Sequence, residues 1–318
     1  MINCPRVGDS LERLVAQASF EVFLVAPFIK REAFARIIAC VKKGVRVTCV
    51  TRWRLPEIIA GVNDPDIWEI VRGLEHGRLL VNHSLHAKYY RGDDLCLIGS
   101  ANLTGAALGW SANPNWELLM APDDGGSLRD EFEEELLEWS TGVDDSLYRI
   151  VAERVRVGKE QMANVAEPVE FGELYLGQAP GETTTDYGSW LPQLRHPAEL
   201  YLAYRGEMSA LTSAARETAR RDLNQFVLSP GLDRGAFEAE IGIQLLGKPA
   251  VKQVDRFVSE PRRFGEVRQL LREAMRDGKD VLEPGHAWQT LMRWLLYFLP
   301  NRYRMAVPSH SEIFYRVR

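Results

Sequence analysis

Leu85-His86-Ala87-Lys88-Tyr89-Tyr90-Arg91-Gly92-Asp93 is followed closely by Gly99-Ser100-Ala101-Asn102-Leu103-Thr104-Gly105 and then by Asn115-Trp116-Glu117. Residues 78–90 and 95–98 have the apolar, β-branched and aromatic content of strands, and Arg91-Gly92-Asp93-Asp94 between them has the composition of a turn. On a strand, side chains two apart share a face, so His86 and Lys88 point the same way while Ala87 turns back into the sheet. Ser100 and Asn102 repeat that spacing just past the second strand, where Gly99 lets backbone approach closely and the next turn exposes amide donors. An imidazole, an ammonium, a hydroxyl and an amide are thereby expected around one anion-sized nest.

Outward from this stretch the pattern alternates. Residues 10–18 read as an amphipathic helix, 20–26 as a buried strand stopped by Pro27, 32–43 as a helix stopped by Gly44, and 45–51 as a second strand. A strand-helix-strand unit implies parallel pairing. Residues 67–74 read as a further helix and 117–120 as a strand. A turn at 122–126 then leads to an acidic helix from 127 to about 140, whose charge run reads as a solvated face. The expectation is an α/β fold, a mixed sheet flanked by helices, over residues 1–145. A helical connection (144–166) and a turn-rich loop (179–189) lie in a 146–190 linker. A mainly helical accessory domain spans 191–318.

The 318 residues include 39 Lys+Arg and 44 Asp+Glu, with 46% hydrophobic and 26% charged, as in ordinary globular proteins. The most apolar stretches, 20–29 and 294–299, fall well short of the roughly 20 residues of a membrane span. Met1-Ile2-Asn3-Cys4-Pro5-Arg6 lacks a basic-then-apolar leader. Cys4, Cys40, Cys49 and Cys96 are scattered without a C-x-x-C pair, a pattern of reduced thiols rather than of a zinc site or disulfide framework. A cytoplasmic protein is expected.

Charge divides unevenly. From Arg195 to Arg318 there are 20 basic and 15 acidic residues, a balance of +5, against −10 for the rest, which hints at a polyanion-binding C-terminal half. Helices are expected at 197–204, 209–226, 265–276 and 287–297, followed by a hairpin of 302–307 and 312–317 around the turn Pro308-Ser309-His310-Ser311. Helices ending in an arginine-bearing hairpin suggest a winged-helix-like unit for nucleic acid, with a helical cap or dimerisation domain as the alternative.

The clustered side chains suit a phosphodiester. Attack on phosphorus places negative charge on the non-bridging oxygens and demands a proton for the departing oxygen. Lys88, Asn102 and the Ser100 hydroxyl are donors for those oxygens. Neutral imidazole is a nucleophile and imidazolium an acid, so His86 can do either. A carboxylate on the far ring nitrogen would fix the tautomer, and Glu117 is the candidate. No metal or other cofactor is called for, and His83 and His86, three apart on an expected strand, face opposite sides.

The segment resembles the phospholipase D superfamily, whose signature is H-x-K-x4-D followed by G-S-x-N. Val25-Ala26-Pro27-Phe28 and Gly44-Val45-Arg46-Val47 look like its nuclease-type members, and the resemblance covers roughly residues 8–140. It implies a ping-pong reaction with a phosphohistidine on His86, oxyanion contacts from Lys88 and Asn102, and metal independence. Asp93 fits the x4 spacing, with Asp94 the alternative because the interval to Gly99 is one residue shorter than in many members. In this family that aspartate commonly supports the fold and the neighbouring lysine rather than the chemical step. The family mechanism needs two motifs, and His76, His83, His196, His286 and His310 all lack a lysine two positions on. The second histidine is therefore expected from a homodimer joined through the catalytic domain.

The substrate expected is nucleic acid, DNA before RNA, and no membrane. Tyr89, Tyr90, Trp110 and Trp116 are candidates for stacking on bases or for the core. Family analogy suggests a restriction-like or phage-defence setting. The alternatives are a nucleic-acid-binding subunit of a larger complex, with further protein partners and conditional catalysis, and a phospholipid phosphodiesterase.

Overall fold

The structure, a computed structural model, describes residues 7–122, 126, 128–163, 190–274, 283–307 and 312–317. Cys4, most of the 122–126 turn, the 179–189 loop and the 308–311 turn lie outside them, as do residue 127 at the start of the acidic helix and the ends of the 144–166 and 265–276 helices. The chain divides into two units, Met1–Lys159 and Glu160–Arg318, a division that falls within the expected 146–190 connection.

In the first unit, α1 (Val7–Gln17), β1 (Glu21–Val25), α2 (Arg31–Ile38) and β2 (Arg46–Thr51) follow in order. Two short helices, α3 (Leu55–Ile59) and α4 (Ile67–Val71), then lead to β3 (Gly77–Val81). Strands β1, β2 and β3 are parallel neighbours. The chain then reverses through β4 (Tyr89–Gly92), β5 (Leu95–Gly99) and β6 (Leu119–Met120). The sheet order is β6-β5-β4-β1-β2-β3-β7, with β7 at Thr141–Gly142. This is a mixed α/β fold. β1 lies inside the sheet with Val22, Leu24 and Val25 fully buried, each such burial contributing about 1.5–3 kcal/mol.

Two expectations are corrected here. Residues 78–90 are not one strand: β3 ends at Val81, and Asn82 turns the chain, its Oδ1 accepting from Ser84 N at 2.9 Å and its carbonyl from Leu85 N at 3.2 Å. His86 and Lys88 thus lie on the extended approach to β4. The acidic segment, a π turn (Leu128–Phe132) running into α5 (Glu133–Glu138), is not solvated on every acidic side chain. Glu133 is buried, taking Arg91 Nε at 2.5 Å, Arg91 Nη2 at 2.8 Å and Tyr89 Oη at 2.7 Å. Helix α6 (Asp145–Ala163) follows.

The second unit is mainly helical: α7 (Glu199–Tyr204), α8 (Ser213–Leu223), α9 (Arg234–Gly247) and α10 (Pro249–Phe257), then β8 (Arg262–Arg263), α11 (Phe264–Ala274), α12 (Pro284–Phe298), β9 (Tyr303–Ala306) and β10 (Ile313–Arg316). The strands form an antiparallel sheet in the order β8-β10-β9. α9 and α10 have no counterpart among the expected helices. Eight residues of α9 are buried, including Glu240, so its sequence lacks a clean polar stripe. No helix among the described residues is long and apolar enough to cross a membrane.

Candidate active site

The sheet topology gathers His86, Lys88, Ser100 and Asn102 at one end. Ligands of open α/β sheets commonly sit beyond the carboxyl ends of parallel strands, and here β1, β2 and β3 lead at that end into Ala26-Pro27-Phe28, Arg52-Trp53-Arg54 and the loop carrying His86. β4 is antiparallel to β1, so its first residues lie at the same end, and Lys88 falls in register between Ala26 and Gly99. Gly99 N donates to Lys88 O at 3.3 Å, extending the ladder past the strand. Gly99 has to be glycine, because a Cβ there would stand 2.0 Å from the Leu118 carbonyl oxygen of the neighbouring edge segment. The polar end of the sheet is tied by Asn63, 1% exposed, whose Nδ2 donates to Pro27 O at 2.9 Å and Arg52 O at 2.6 Å.

His86 is exposed, and its ring has no hydrogen-bond partner among the described residues. Its proton affinity is held below that of an ordinary histidine, first by the Lys88 charge, then by partial burial, then by Arg52 and Arg54. A neutral ring is therefore favoured, the form a nucleophile needs. Lys88 Nζ donates to the His86 carbonyl at 2.8 Å. Burial and then Arg52 lower its own proton affinity, while Glu117 opposes them and favours the ammonium.

The G-S-x-N residues divide their work. Tyr90 Oη donates to Ala101 O at 2.7 Å, anchoring the loop between Ser100 and Asn102. Asn102 Oδ1 accepts from Phe28 N at 3.4 Å, which leaves its Nδ2 without a partner among the described residues. The Ser100 hydroxyl is engaged: it donates to a Glu117 oxygen and accepts from Leu118 N at 3.2 Å. The second Glu117 oxygen takes Asn115 Nδ2 at 3.3 Å. Within one chain Glu117 is thus held by Ser100 and Asn115 and accepts nothing from the His86 ring.

Asp93 stands apart from this group. Five residues beyond Lys88 on an extended strand, it lies roughly 16 Å away at the opposite end of β4. It adopts φ 51°, and its two oxygens accept from the N–H groups of Ser19 (2.8 Å), Phe20 (2.9 Å) and Glu21 (2.9 Å). Asp94 is exposed and pairs with Arg129 at 2.9 Å. Of the aromatic candidates, Tyr89 and Tyr90 belong to the core and Trp110 lies under the Arg36 guanidinium, 4.0 Å from the ring centroid, whereas Trp116 is fully exposed beside Glu117.

Two site residues were missed from sequence. Arg52 donates through Nη1 to Leu85 O at 3.0 Å and is paired to Glu57 (2.6 and 3.1 Å), and Arg54 donates to His83 O at 2.7 and 3.2 Å. Together they clamp the loop that presents His86. A usable signal existed, since two arginines flank Trp53 immediately after the apolar run of β2. Among the described residues no three His, Cys, Asp or Glu side chains come together at metal-ligating positions.

No family model and no curated protein matches the chain. Among solved structures, NucT from Helicobacter pylori is similar at a TM-score of 0.35 and 17% sequence identity, the match covering 42% of this chain and 89% of that chain.

Proposed function

We propose that the first unit is a metal-independent phosphodiesterase that cleaves nucleic acid through a phosphohistidine on His86, in a homodimer whose other His86 supplies the proton. The observation that carries this reading is the exposed His86 ring, free of partners among the described residues and shifted toward its neutral form by the cations around it, beside the donors of Lys88 and Asn102. In the first step a ring nitrogen bonds to phosphorus as the bond to the leaving oxygen breaks, and the partner's imidazolium protonates that oxygen. In the second step water attacks phosphorus, gives its proton to that now neutral imidazole, and the N–P bond breaks. Lys88 and the Asn102 amide hold the non-bridging oxygens through both steps, where their preorganised charge and dipoles favour the added negative charge. Arg52 and Arg54 position the loop.

Two features support the homodimer. The chain carries a single H-x-K, while the mechanism needs two histidines. Trp116, Leu118 and Met120, all exposed, alternate along the edge segment on either side of Glu117, an apolar ridge on a strand edge that a second copy would cover. In the second unit, the order helix, strand, helix, helix, strand, strand with the sheet β8-β10-β9 supports a winged-helix reading and hence a polynucleotide substrate.

Purified protein incubated in EDTA with labelled single- and double-stranded DNA and RNA should cleave at least one, and the His86→Ala variant none. Cleavage that persists in the variant overturns the assignment. Salt-sensitive binding without cleavage would favour a binding subunit, and head-group release from vesicles a lipid substrate.

A further inference from the structure

The second unit holds a cleft of about 190 Å³ between residues 192–195 and α12, with Arg195, Arg293, His286, Gln193 and Gln289 among its walls. We propose that this cleft seats a backbone phosphate of a nucleic acid, gripped by Arg195 and Arg293. The inference rests on the phosphodiesterase reading only for the class of polymer.

The cleft is built rather than incidental. Asp222, fully buried, accepts from Gln193 N at 2.9 Å and Leu194 N at 2.7 Å, and the buried Trp294 Nε1 donates to Leu194 O at 2.8 Å. The backbone is thus pinned from both sides directly before Arg195, an exposed residue. On the other wall, Glu283 caps α12 by accepting from His286 N at 2.8 Å, and Trp288, Leu291, Trp294 and Leu295 fasten the helix to the core. The opposite face carries His286, Gln289 and Arg293 at i, i+3 and i+7, one line of polar side chains.

Charge points to an anion. Several arginines elsewhere in this unit are matched to carboxylates: Arg302 and Arg316 to Asp255, Arg234 to Glu238, Arg262 to Glu266 and Arg205 to Glu207. Among the described residues neither Arg195 nor Arg293 has an ion-pair partner, and no carboxylate lines the cleft. The Arg221 guanidinium approaches Gln193 Oε1 at 3.5 Å. The nearby acids are committed, Asp222 to backbone and Glu283 to the helix cap, 3.9 Å from His286 Nδ1. A guanidinium pair across a narrow gap matches a phosphodiester oxygen pair. In the order α10, β8, α11, α12, β9, β10, α12 is the third helix, the one that a winged helix-turn-helix module lays against the groove.

The test uses full-length His86→Ala protein, so that polymer stays intact, and fluorescence anisotropy with labelled DNA duplex, single-stranded DNA and RNA of about 20 residues at roughly 50–200 mM salt. The arms identify the polymer. Arg195→Ala/Arg293→Ala should weaken binding of at least one probe about tenfold and lower the salt slope by about 1, with Arg205→Ala, an exposed control of equal formal charge, within twofold per arginine removed. Arg195→Gln, at an exposed position that cannot unfold the core, should lose a smaller share, and Arg293→Lys should recover part of the loss. The proposal is overturned if the parent binds no probe, if the folded double variant binds like the parent, or if Arg205→Ala costs as much per charge. Unchanged binding would leave His86-dependent cleavage standing, and failure of that cleavage would leave this binding result standing.

Discussion

The two ends of β4 carry the two halves of one motif and could hardly differ more. At its start, His86 and the Asn102 amide keep polar groups without partners among the described residues, and cations crowd them. At its end every polar group of Asp93 and Arg91 is spent: Asp93 takes three backbone N–H groups, and Arg91 reaches Glu133, Glu21 (2.9 Å) and the Asp93 carbonyl (2.9 Å). Burying or ordering polar groups is favourable only when they are satisfied. The saturated end is scaffold, and the unsaturated end is where a substrate can supply the missing partners. A linear motif therefore mixes chemistry with architecture, and the hydrogen-bond inventory separates them.

The sharpest way to break this contrast is to mutate both ends and read activity and stability separately. His86→Ala should lower phosphodiester hydrolysis at least about 10³-fold, with Tm unchanged because the residue is exposed and its ring makes no hydrogen bond to the described residues. A large fall in Tm would move His86 into the scaffold. Glu133→Ala leaves the buried Arg91 guanidinium with only Glu21 and the Asp93 carbonyl, takes the acceptor from the buried Tyr89 hydroxyl, and should cost about 3 kcal/mol in denaturant unfolding. A loss below about 1 kcal/mol would mean that the saturated end is not structural.

Asp93→Asn, which tolerates the positive φ, should cost about 1 kcal/mol, and Asp93→Ala about 1 kcal/mol more for its left-handed backbone. Desolvation is the largest single influence and acts the other way, but the N–H groups of Glu21, Ser19 and Phe20 together outweigh it and hold the Asp93 carboxyl below the usual aspartate range. Its stabilisation is therefore complete above the unfolded aspartate value of about 4 and fades as pH falls through the lower folded value. Thermal melts of wild type and Asp93→Asn should converge in acid. The smallest effect is a titration: the His86 ring proton resonance should shift at a pH below the ordinary value of about 6.5 and move back upward in Lys88→Gln.

Much of this was legible in the sequence, for reasons that also explain the misses. Strands β1 and β2 announce themselves because, after a polar first residue, both faces are buried and the runs are rich in Val, Leu, Phe, Cys and Thr, and the glycine of Gly99-Ser100 marks a backbone approach that a Cβ would block. Residues 82–88 fall within the expected 78–90 strand because the apolar 79–81 and the aromatic Tyr89-Tyr90 flank them, yet Asn82-His83-Ser84 is a turn held by the asparagine side chain. Composition counts a charged residue as surface, which hides Glu133 as a core residue and makes Arg52 harder to see than its place after β2 allows, whereas a guanidinium and a carboxylate placed face to face can both be buried. The Arg91–Glu133 pair joins residues 42 apart, which no local pattern encodes, whereas Arg52 and Glu57 are only five apart.

The central claim is that phosphorus is transferred to His86 before it reaches water. Cleavage of a nucleic-acid diester made chiral at phosphorus, followed by determination of the product's configuration, tests it directly. Two in-line displacements predict overall retention, and inversion, the mark of a single attack by water, would contradict the account.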